Sequence, residues 1–561
     1  MILLQYLCIT KAISIRSCYR SKRKTPSGVL LPSGPTVSIC LCYILNEILT
    51  LRENQWTYRG DIKTEAALWD NLRELVENFL SQRNAGTIII TTIQKLSRAI
   101  RECRESEKNK FETLKGEHAV FIVDECHRAV SDKEMRAIKK FFPRSTWFGL
   151  TGTPIFEENK KTEMGDYART TSDQYGLAKD GTPLANGGLL HAYTTKNAMD
   201  DKSVLDFQVE YHSLLKPEDE KRVHISKIME NFPNVDPVEK LETMNALDRE
   251  ALLDIKDADG LTIYERDDYI AAMLQKIFRH QSVLEKFKVV DGMPTMSGIL
   301  TTHSIAQAKR IYRKLMEHKA SGNLITGNPL YEQRALRDPD FPRVAITYSL
   351  SEKQEDKNQA AQELLEIMQE YDAAFGTHYA QGARKVKKPA INGEFGDDTE
   401  LDDTNYNQNI NNRLARKGAQ YQKNGGWLDL VIVVERLLTG FDAPTIQALY
   451  VDKELKYHGL LQAFSRTNRV HAGKDRGMIV TFRKPLTMAA HVRRAIKLFS
   501  NEARDWERLV PRQYAQVRQD LTAAHKAFVE AKKELEQDPN DFMKRLAAIK
   551  TFQTIKTSAK P

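Results

Sequence analysis

The chain has 561 residues, of which 84 are basic and 75 acidic, and its net charge is +9. This length allows about three domains with sizeable cores, and the mild positive charge permits nucleic acid as a partner without requiring it. Six cysteines without a repeated C-x-x-C pair argue against a disulfide framework and a zinc site. No apolar stretch reaches the roughly 18 residues of a membrane span, so we expect a cytoplasmic protein with no membrane role.

The first sixty residues differ in composition from the rest of the chain. They contain four of the six cysteines, no aspartate and a basic run at 20–24. The start lacks the positive region and the cleavage site of a secretory signal. We interpret residues 1–60 as an atypical segment, either disordered or a remnant.

A helix and a strand are predicted next. Apolar residues at positions 68, 72, 75 and 79 form the stripe of a core-facing helix over 65–80. The run Ile88–Ile90 predicts a strand over 87–92, which ends at Thr91 and Thr92.

The apolar run Ala119–Val123 predicts a buried strand that ends in the sequence DECH, residues 124–127. Open parallel sheets bind ligands at the carboxyl edge of their strands. Two adjacent carboxylates there suit ATP hydrolysis, in which Asp124 holds Mg²⁺ and Glu125 activates the attacking water. The alternative is a pair of solvated carboxylates without chemistry.

The following run, 147–150, predicts another strand that leads into the hydroxyl-rich turn Thr151–Pro154. This βα alternation is typical of a parallel sheet. Further along, a charged stretch at about 215–290 is predicted to be helical. The polar segment 397–424 is predicted to be a flexible surface insertion, because it is rich in Asn, Asp and Gly.

Two later strands, predicted at 430–434 and 448–451, each precede a polar motif. The first motif is TGFDAP at 439–444, and the second is QAFSRTNR at 462–469. Arg466 and Arg469 are three residues apart, so they share one face of a helix or turn. This suits two cations directed at phosphate oxygens, although a solvated basic face is the alternative.

The last sixty residues are predicted to be helical. Apolar residues alternate at spacings of three and four from Tyr514 to Leu535, and Asp538-Pro539 is a stop signal. The stripe fits a coiled-coil seam or packing on its own domain. We expect packing on its own domain.

In this order, the motifs DECH, GLTGTP, LTGFDAP and QAFSRTNR resemble motifs II, III, V and VI of superfamily 2 helicases and translocases. More narrowly, they are similar to the restriction (R, HsdR) subunit of type I restriction-modification enzymes, over roughly residues 85–500. Ile88–Leu96 resembles that family's motif Ib, and Gly298–Ser304 resembles its motif IV.

The resemblance implies an α/β fold with two RecA-like parallel-sheet domains and a C-terminal helical region. It places an incomplete first domain at residues 61–203, with motifs Ib, II and III. The second domain, with motifs IV, V and VI and insertions, is expected at 204–490, and the helical region at 491–561.

The sequence departs from a complete R subunit in two ways. It shows no nuclease motif and no P-loop of the form G-x-x-x-x-G-K-[ST]. Gly473-Lys474 lacks the following Ser or Thr, and we interpret the E-x-K pair Glu454 and Lys456 as solvated charges. We therefore interpret the chain as an N-terminally truncated fragment.

The resemblance also implies roles for individual residues, with ATP and Mg²⁺ as cofactors. Asp124 would bind the metal, Glu125 would act as the general base, and Arg466 and Arg469 would stabilise the γ-phosphate across a cleft between the domains. Further ATP-site residues are His127, Thr151, Gly440, Asp442 and Gln462. Contacts to the DNA backbone are expected from Thr91, Thr92, Thr302 and Thr439.

Two functions remain open from the sequence. The first is the motor portion of a type I R subunit, an ATP-dependent translocase on double-stranded DNA whose partners are methyltransferase and specificity subunits. The second is an inactive remnant, or a DNA- or partner-binding module, that keeps the fold without hydrolysing ATP. Without the P-loop, several charge-assisted hydrogen bonds of about 1.5 to 3 kcal/mol each are lost, so we expect negligible hydrolysis.

Overall fold

The computed structural model divides into two compact units, Met1–Ala192 and Tyr193–Pro561. It describes residues 36–41, 88–91, 93, 96–97, 100, 118–129, 133–160, 169–178, 180–279, 296–324, 335–336, 338–348, 357–382, 384–389, 395–400, 403–423, 425–500, 514–538 and 541–558. The helix predicted at 65–80 and the predicted DNA contact Thr92 lie outside these residues.

The first unit contains a parallel four-stranded sheet in the order β2-β1-β3-β4. Its strands are β1 (Thr36–Leu41), β2 (Ile88–Thr91), β3 (His118–Val123) and β4 (Thr146–Gly149). Three helices lie in or close after this unit: α1 (Lys133–Phe141), α2 (Thr171–Tyr175) and α3 (Thr195–Asp200). The sequence analysis predicted three of the four strands, but it did not anticipate β1.

Aromatic packing fixes β3 against its neighbours. The Phe121 ring stacks on Trp147 of β4 at 4.0 Å between centroids, and Phe142 meets Phe121 edge-on at 5.3 Å. Phe121 and Val123 are fully buried, and this burial stabilises the strand that carries the DECH sequence.

The second unit contains a parallel six-stranded sheet in the order β5-β12-β11-β6-β10-β7. These strands are β5 (Asp206–Tyr211), β6 (Ser297–Thr302), β7 (Val344–Thr347), β10 (Leu430–Val433), β11 (Ile446–Asp452) and β12 (Arg476–Thr481). A separate antiparallel hairpin joins β8 (Arg384–Pro389) and β9 (Phe395–Glu400). Both units are thus α/β with parallel sheets, as predicted.

Most of the further helices described for the second unit lie between these strands in the chain, and the last three follow the final strand, β12. They are α4 (Pro217–Asn231), α5 (Pro237–Thr243), α6 (Ala246–Leu252), α7 (Asp267–Arg279), α8 (Ile305–Ala320), α9 (Lys357–Phe375), α10 (Thr404–Ala415), α11 (Tyr457–Phe464), α12 (Pro485–Phe499), α13 (Tyr514–Gln537) and α14 (Phe542–Ser558). The first four of them confirm the helical character predicted for about 215–290 as far as residue 279.

The prediction of a flexible insertion at 397–424 is wrong. Within this segment α10 packs into the unit, and its polar side chains Asn407, Asn409 and Arg413 are buried rather than solvated. Asn407 accepts a hydrogen bond from Thr347 Oγ1 at 2.5 Å, and Asn409 accepts bonds of 2.7 Å from Tyr371 Oη and Arg413 Nε. Buried polar groups that find partners satisfy their hydrogen-bonding needs, so a polar composition did not imply a surface position.

The C-terminal helices α13 and α14 pack on each other, with the Phe528 and Phe552 rings 5.7 Å apart. The expectation that the stripe of α13 packs on its own domain is not tested by this pairing and stays a prediction. No helix among the described residues is long and apolar enough to cross a membrane.

Candidate active site

The DECH sequence forms a tight corner at the carboxyl end of β3. Val123 ends the strand, and a 3-10 turn begins at Cys126. Glu125 between them has φ of 48°, in the left-handed region that non-glycine residues rarely adopt. Such strain concentrates at functional sites, and here it turns the glutamate side chain back toward the next strand end.

His127 connects this corner to the turn after β4. Its Nδ1 lies 2.8 Å from Thr151 Oγ1 and 3.3 Å from Glu125 Oε2. Thr151 Oγ1 also accepts a hydrogen bond from the Thr153 backbone N–H at 3.0 Å. Glu125 and His127 are both buried, so the carboxylate, the imidazole and the hydroxyl form one desolvated polar group.

Backbone hydrogen bonds hold the same two strand ends together. Cys126 N–H donates to Leu150 O at 3.0 Å, and Leu150 N–H donates to Val123 O at 2.8 Å. Any Cβ at Gly149 would lie 2.7 Å from Cys126 Sγ, so the glycine permits this close approach. Burial, and then the charges of Glu125 and Asp124, raise the pKa of the Cys126 thiol to about 12.

Asp124 is the residue of this corner best suited to a metal ion. It is half-buried, and burial raises the pKa of its carboxyl, although the hydrogen bond from Glu125 N–H to Oδ1 at 3.0 Å acts in the opposite direction. A nearby cation would favour the ionised form. Within the described part of the chain no cluster of three or more metal-ligating side chains occurs. A single carboxylate fits Mg²⁺, which keeps several waters and takes few protein ligands.

In the second unit, the segment 434–446 runs from the end of β10 to the first residue of β11, and we call it the motif V loop. Its backbone enters the left-handed region at Leu437, with φ of 67°, and at Gly440, with φ of 69°. Asp442 follows, and its Oδ1 lies 3.2 Å from Arg469 Nε. That contact is an ion pair rather than a well-directed hydrogen bond, since Asp442 Oδ1 has no hydrogen-bond donor in line.

Arg466 and Arg469 lie beyond the end of α11, in the turn that follows it. Arg466 is almost fully buried; it donates to Phe441 O and, at 3.2 Å, to Gln462 O. Both arginines therefore contact the same unit of the protein that bears them. The expectation that they face Asp124 and Glu125 concerns residues of different units and stays a prediction.

The remaining predicted residues differ in accessibility. Gln462 is buried, and Thr439 is half-buried on the motif V loop. Thr302 is fully buried at the end of β6, and its hydroxyl donates to Ser304 O at 3.0 Å. Thr91 ends β2.

Two residues that the sequence analysis discounted as P-loop or nuclease candidates have other contacts. Lys474 is buried and donates to Pro444 O at 3.0 Å and to Ile446 O at 2.6 Å. Lys456 is exposed and pairs with Glu454 at 2.8 Å, as the interpretation of solvated charges expects. Glu454 itself is half-buried and also pairs with Lys484 at 3.3 Å, so that interpretation does not hold for it.

The sequence analysis missed a buried polar cluster at the end of β11. Asp452 is fully buried, and it accepts 3.2 Å hydrogen bonds from Tyr269 Oη and Gln307 Nε2. Burial raises the pKa of Asp452 to about 6, against the lowering effect of the Arg483 charge. The signal in the sequence was a charged residue directly behind an apolar strand.

Comparison with known families assigns most of the two sheets. Residues 53–243 match the SWI2/SNF2 ATPase model, and residues 294–484 match the model of domain 3 of the type I restriction enzyme subunit R.

Individual relatives are endonuclease subunits of type I restriction enzymes. The SauMSSORF170P subunit of Staphylococcus aureus (strain MSSA476) is 28% identical over 441 residues, which cover 78% of this chain and 38% of that one. The SsaAORF53P subunit of Staphylococcus saprophyticus is 28% identical over 445 residues, with coverages of 78% and 37%. A solved structure of the ATP-dependent Type ISP enzyme LlaBIII bound to DNA has 13% identity and a TM-score of 0.38, over 91% of this chain and 32% of that one.

The motif series, the two family matches and these relatives define a superfamily 2 helicase-like protein. Within that class the chain is HsdR-like, similar to the R subunit of type I restriction enzymes. It spans about 38% of the length of the curated relatives that it matches.

Proposed function

We propose that this chain carries the motor machinery of a type I restriction R subunit, in which ATP hydrolysis drives movement along double-stranded DNA. The observation that carries the proposal is the corner of β3, where His127 joins Glu125 to Thr151 at 3.3 and 2.8 Å. In this proposal Glu125 is the general base, and His127 connects it to the turn after β4. A change in the position of Glu125 when nucleotide binds is therefore transmitted to that turn.

Each residue of the corner has a chemical role in the proposal. Asp124 binds Mg²⁺, which when present neutralises charge on the phosphate oxygens. Glu125 orients a water molecule and accepts its proton at Oε1 or Oε2 as the water attacks the γ-phosphate. His127 holds the Glu125 carboxylate in place and transmits its position to Thr151.

The second unit supplies the cationic part of the proposed site. Arg469 contacts the γ-phosphate, because its guanidinium carries one ion pair and has donors left for phosphate oxygens. Arg466 is engaged by backbone carbonyls of its own unit, so it supports the site from within. Gly440, Asp442 and Gln462 shape the surface around them.

DNA is bound through its backbone in the proposal, without sequence preference. Thr439 carries this part best, since it is half-buried on the motif V loop. Thr91 and Thr302 lie at the ends of β2 and β6, and Thr92 is a further proposed contact. Methyltransferase and specificity subunits are the proposed partners, because the relatives are subunits of type I restriction enzymes.

A second function is favoured by one specific observation. The 561 residues contain no G-x-x-x-x-G-K-[ST] sequence, and this motif supplies the amides and the lysine that grip the β- and γ-phosphates. In this alternative the chain keeps the fold and binds DNA or a partner without turning over ATP.

Binding of duplex DNA in the presence and absence of Mg-ATP separates the two functions. In fluorescence anisotropy, a motor segment should bind unrelated duplexes with equal affinity, and millimolar Mg-ATP should change that affinity by at least about threefold. Asp124→Asn should abolish the change, while Asp180→Asn, at an exposed site of the same unit, should not. DNA binding that ignores Mg-ATP would favour the binding module, and no DNA binding would contradict the motor and leave only a module that binds a partner.

A further inference from the structure

We propose that Lys453 and Lys474, to which no role in the site has been assigned, are positioning residues that fix the motif V loop to the segment bearing Arg466 and Arg469. The inference rests on the proposed function, because Asp442 of this loop and Arg469 belong to the proposed nucleotide site.

Lys453 holds the entrance of the loop. Strands β10, β6 and β11 are parallel neighbours, so their carboxyl ends meet at one sheet edge. Lys453 directly follows β11, and its Nζ donates to Val434 O at 2.9 Å and pairs with Glu435. The same Val434 oxygen accepts a 2.8 Å bond from Thr301 Oγ1 of β6. Three strand ends are thus joined at one carbonyl.

Lys474 holds the exit of the loop in the same way. Its Nζ donates to Pro444 O at 3.0 Å and to Ile446 O at 2.6 Å. Lys453 and Lys474 are 6% and 7% exposed. Burial of a charged ammonium group costs free energy, which hydrogen bonds must offset. We therefore expect both lysines to keep their hydrogen bonds to these carbonyls.

Arg466 and Arg469 contact the middle of the loop from outside it. Arg466 donates to Phe441 O, and Arg469 pairs with Asp442. Four cations from residues 453–474 therefore contact a loop of 13 residues, 434–446, that has no regular secondary structure over 434–445.

The physical consequence is a loop whose conformation depends on these side chains. The positive φ of Leu437 is not enforced by a helix or strand ladder, and in a residue other than glycine such a conformation persists only where surrounding contacts over-determine it. Loss of Lys474 removes the side-chain donor to the Pro444 and Ile446 carbonyls, and loss of Lys453 removes one of the two side-chain donors to Val434 O together with the partner of Glu435. The loop then opens locally, and Asp442 no longer holds Arg469.

Hydrogen exchange monitored by mass spectrometry tests the positioning directly. Lys453→Met keeps the length of the side chain but removes its charge, and we expect amides of 435–446 to exchange at least about tenfold faster than in the unaltered chain. Lys453→Arg should restore protection to within about threefold. Lys456→Met, at an exposed site three residues later, is the matched control and should change nothing in the loop. Unchanged loop exchange in Lys453→Met would overturn the proposal.

Two further variants keep the test decisive. If Lys453→Met fails to fold, Glu435→Gln removes the carboxylate partner of Lys453 at an exposed position and should still speed exchange at 435–438; no change there would equally overturn the proposal. Lys474→Met should speed exchange around residues 443–446, and an effect confined to distant segments would contradict its assignment.

The link to nucleotide is a separate measurement. In ligand-observed NMR with Mg-ATP, Lys453→Met should weaken binding about tenfold, Lys453→Arg should rescue it, and Lys456→Met should have no effect. If the unaltered chain binds no Mg-ATP, the proposed function fails while the exchange experiment still decides the positioning role. If it binds and Lys453→Met has no effect, the link from loop to nucleotide is refuted.

Discussion

His127 Nδ1 lies 2.8 Å from Thr151 Oγ1, which joins the end of β3 to the turn that follows β4. The two residues are 24 positions apart in the chain; His127 is buried and Thr151 is half-buried. A hydrogen bond in such a position is sensitive to any shift of one strand end relative to the other.

A double-mutant cycle with His127→Ala and Thr151→Val measures this contact. Each single change should destabilise the first unit, and the coupling energy in urea denaturation should be about 0.5 to 1.5 kcal/mol. A coupling energy near zero would mean that the pair does not connect the two strand ends in solution.

The two arginines after α11 should respond differently to the same conservative change. Arg466→Lys should lower the stability of the second unit by about 2 kcal/mol or more, because a lysine cannot reproduce the forked bonds to Phe441 and Gln462 carbonyls. Arg469→Lys should cost less than about 1 kcal/mol, since its ion pair with Asp442 is partly exposed. Thermal unfolding of both variants measures the two losses of stability. Equal losses would contradict the claim that Arg466 supports the fold more strongly than Arg469.

Asp452 should make stability depend on pH. Its carboxyl pKa is raised from the ordinary 3.8 to about 6 in the folded protein, so the folded state binds the proton more tightly than the unfolded state. Its contribution is therefore most favourable below about pH 4 and is lost as the pH rises through about 6. Relative to Asp452→Asn, the chain should lose on the order of 2 to 3 kcal/mol between pH 4.5 and 7.5. The stability difference is measured by urea denaturation. If it is flat over this range, Asp452 is already ionised at the lower end of the range in the folded protein, and its pKa is not raised.

ATP hydrolysis by these 561 residues should be negligible, with or without DNA. The motif II corner is present, but the sequence has no phosphate-gripping G-x-x-x-x-G-K-[ST] motif. Phosphate release should stay at the level of the Glu125→Gln variant. Steady DNA-stimulated release that Glu125→Gln abolishes would refute this prediction.

The sequence predicted those parts of the fold that follow local patterns. Apolar runs such as Ala119–Val123 and Leu430–Val434 located strands to within one or two residues, because burial on both faces of a parallel sheet requires continuous apolar sequence. The DECH motif similarly predicted which side chains stand at the end of β3.

Long-range polar contacts were not predictable in this way. Arg413 and Asn409 of α10 are buried because Tyr371 and Phe375 of α9 surround them, and nothing in the composition of 397–424 records those neighbours. The same holds for Lys453, whose role depends on a carbonyl of another strand. Hydrogen-bond partners brought together by topology leave no periodic signal in the sequence.

Magnesium-dependent binding of ATP most directly tests the central proposal, namely that Asp124 and Arg469 each contribute to nucleotide binding. Ligand-observed NMR at millimolar ATP should detect binding that requires Mg²⁺ and that is weakened at least about tenfold by Asp124→Asn or Arg469→Ala. The exposed-site variants Asp180→Asn and Arg222→Ala should bind like the unaltered chain. Binding that is absent, or that is indifferent to Mg²⁺ and to both substitutions, would contradict the account.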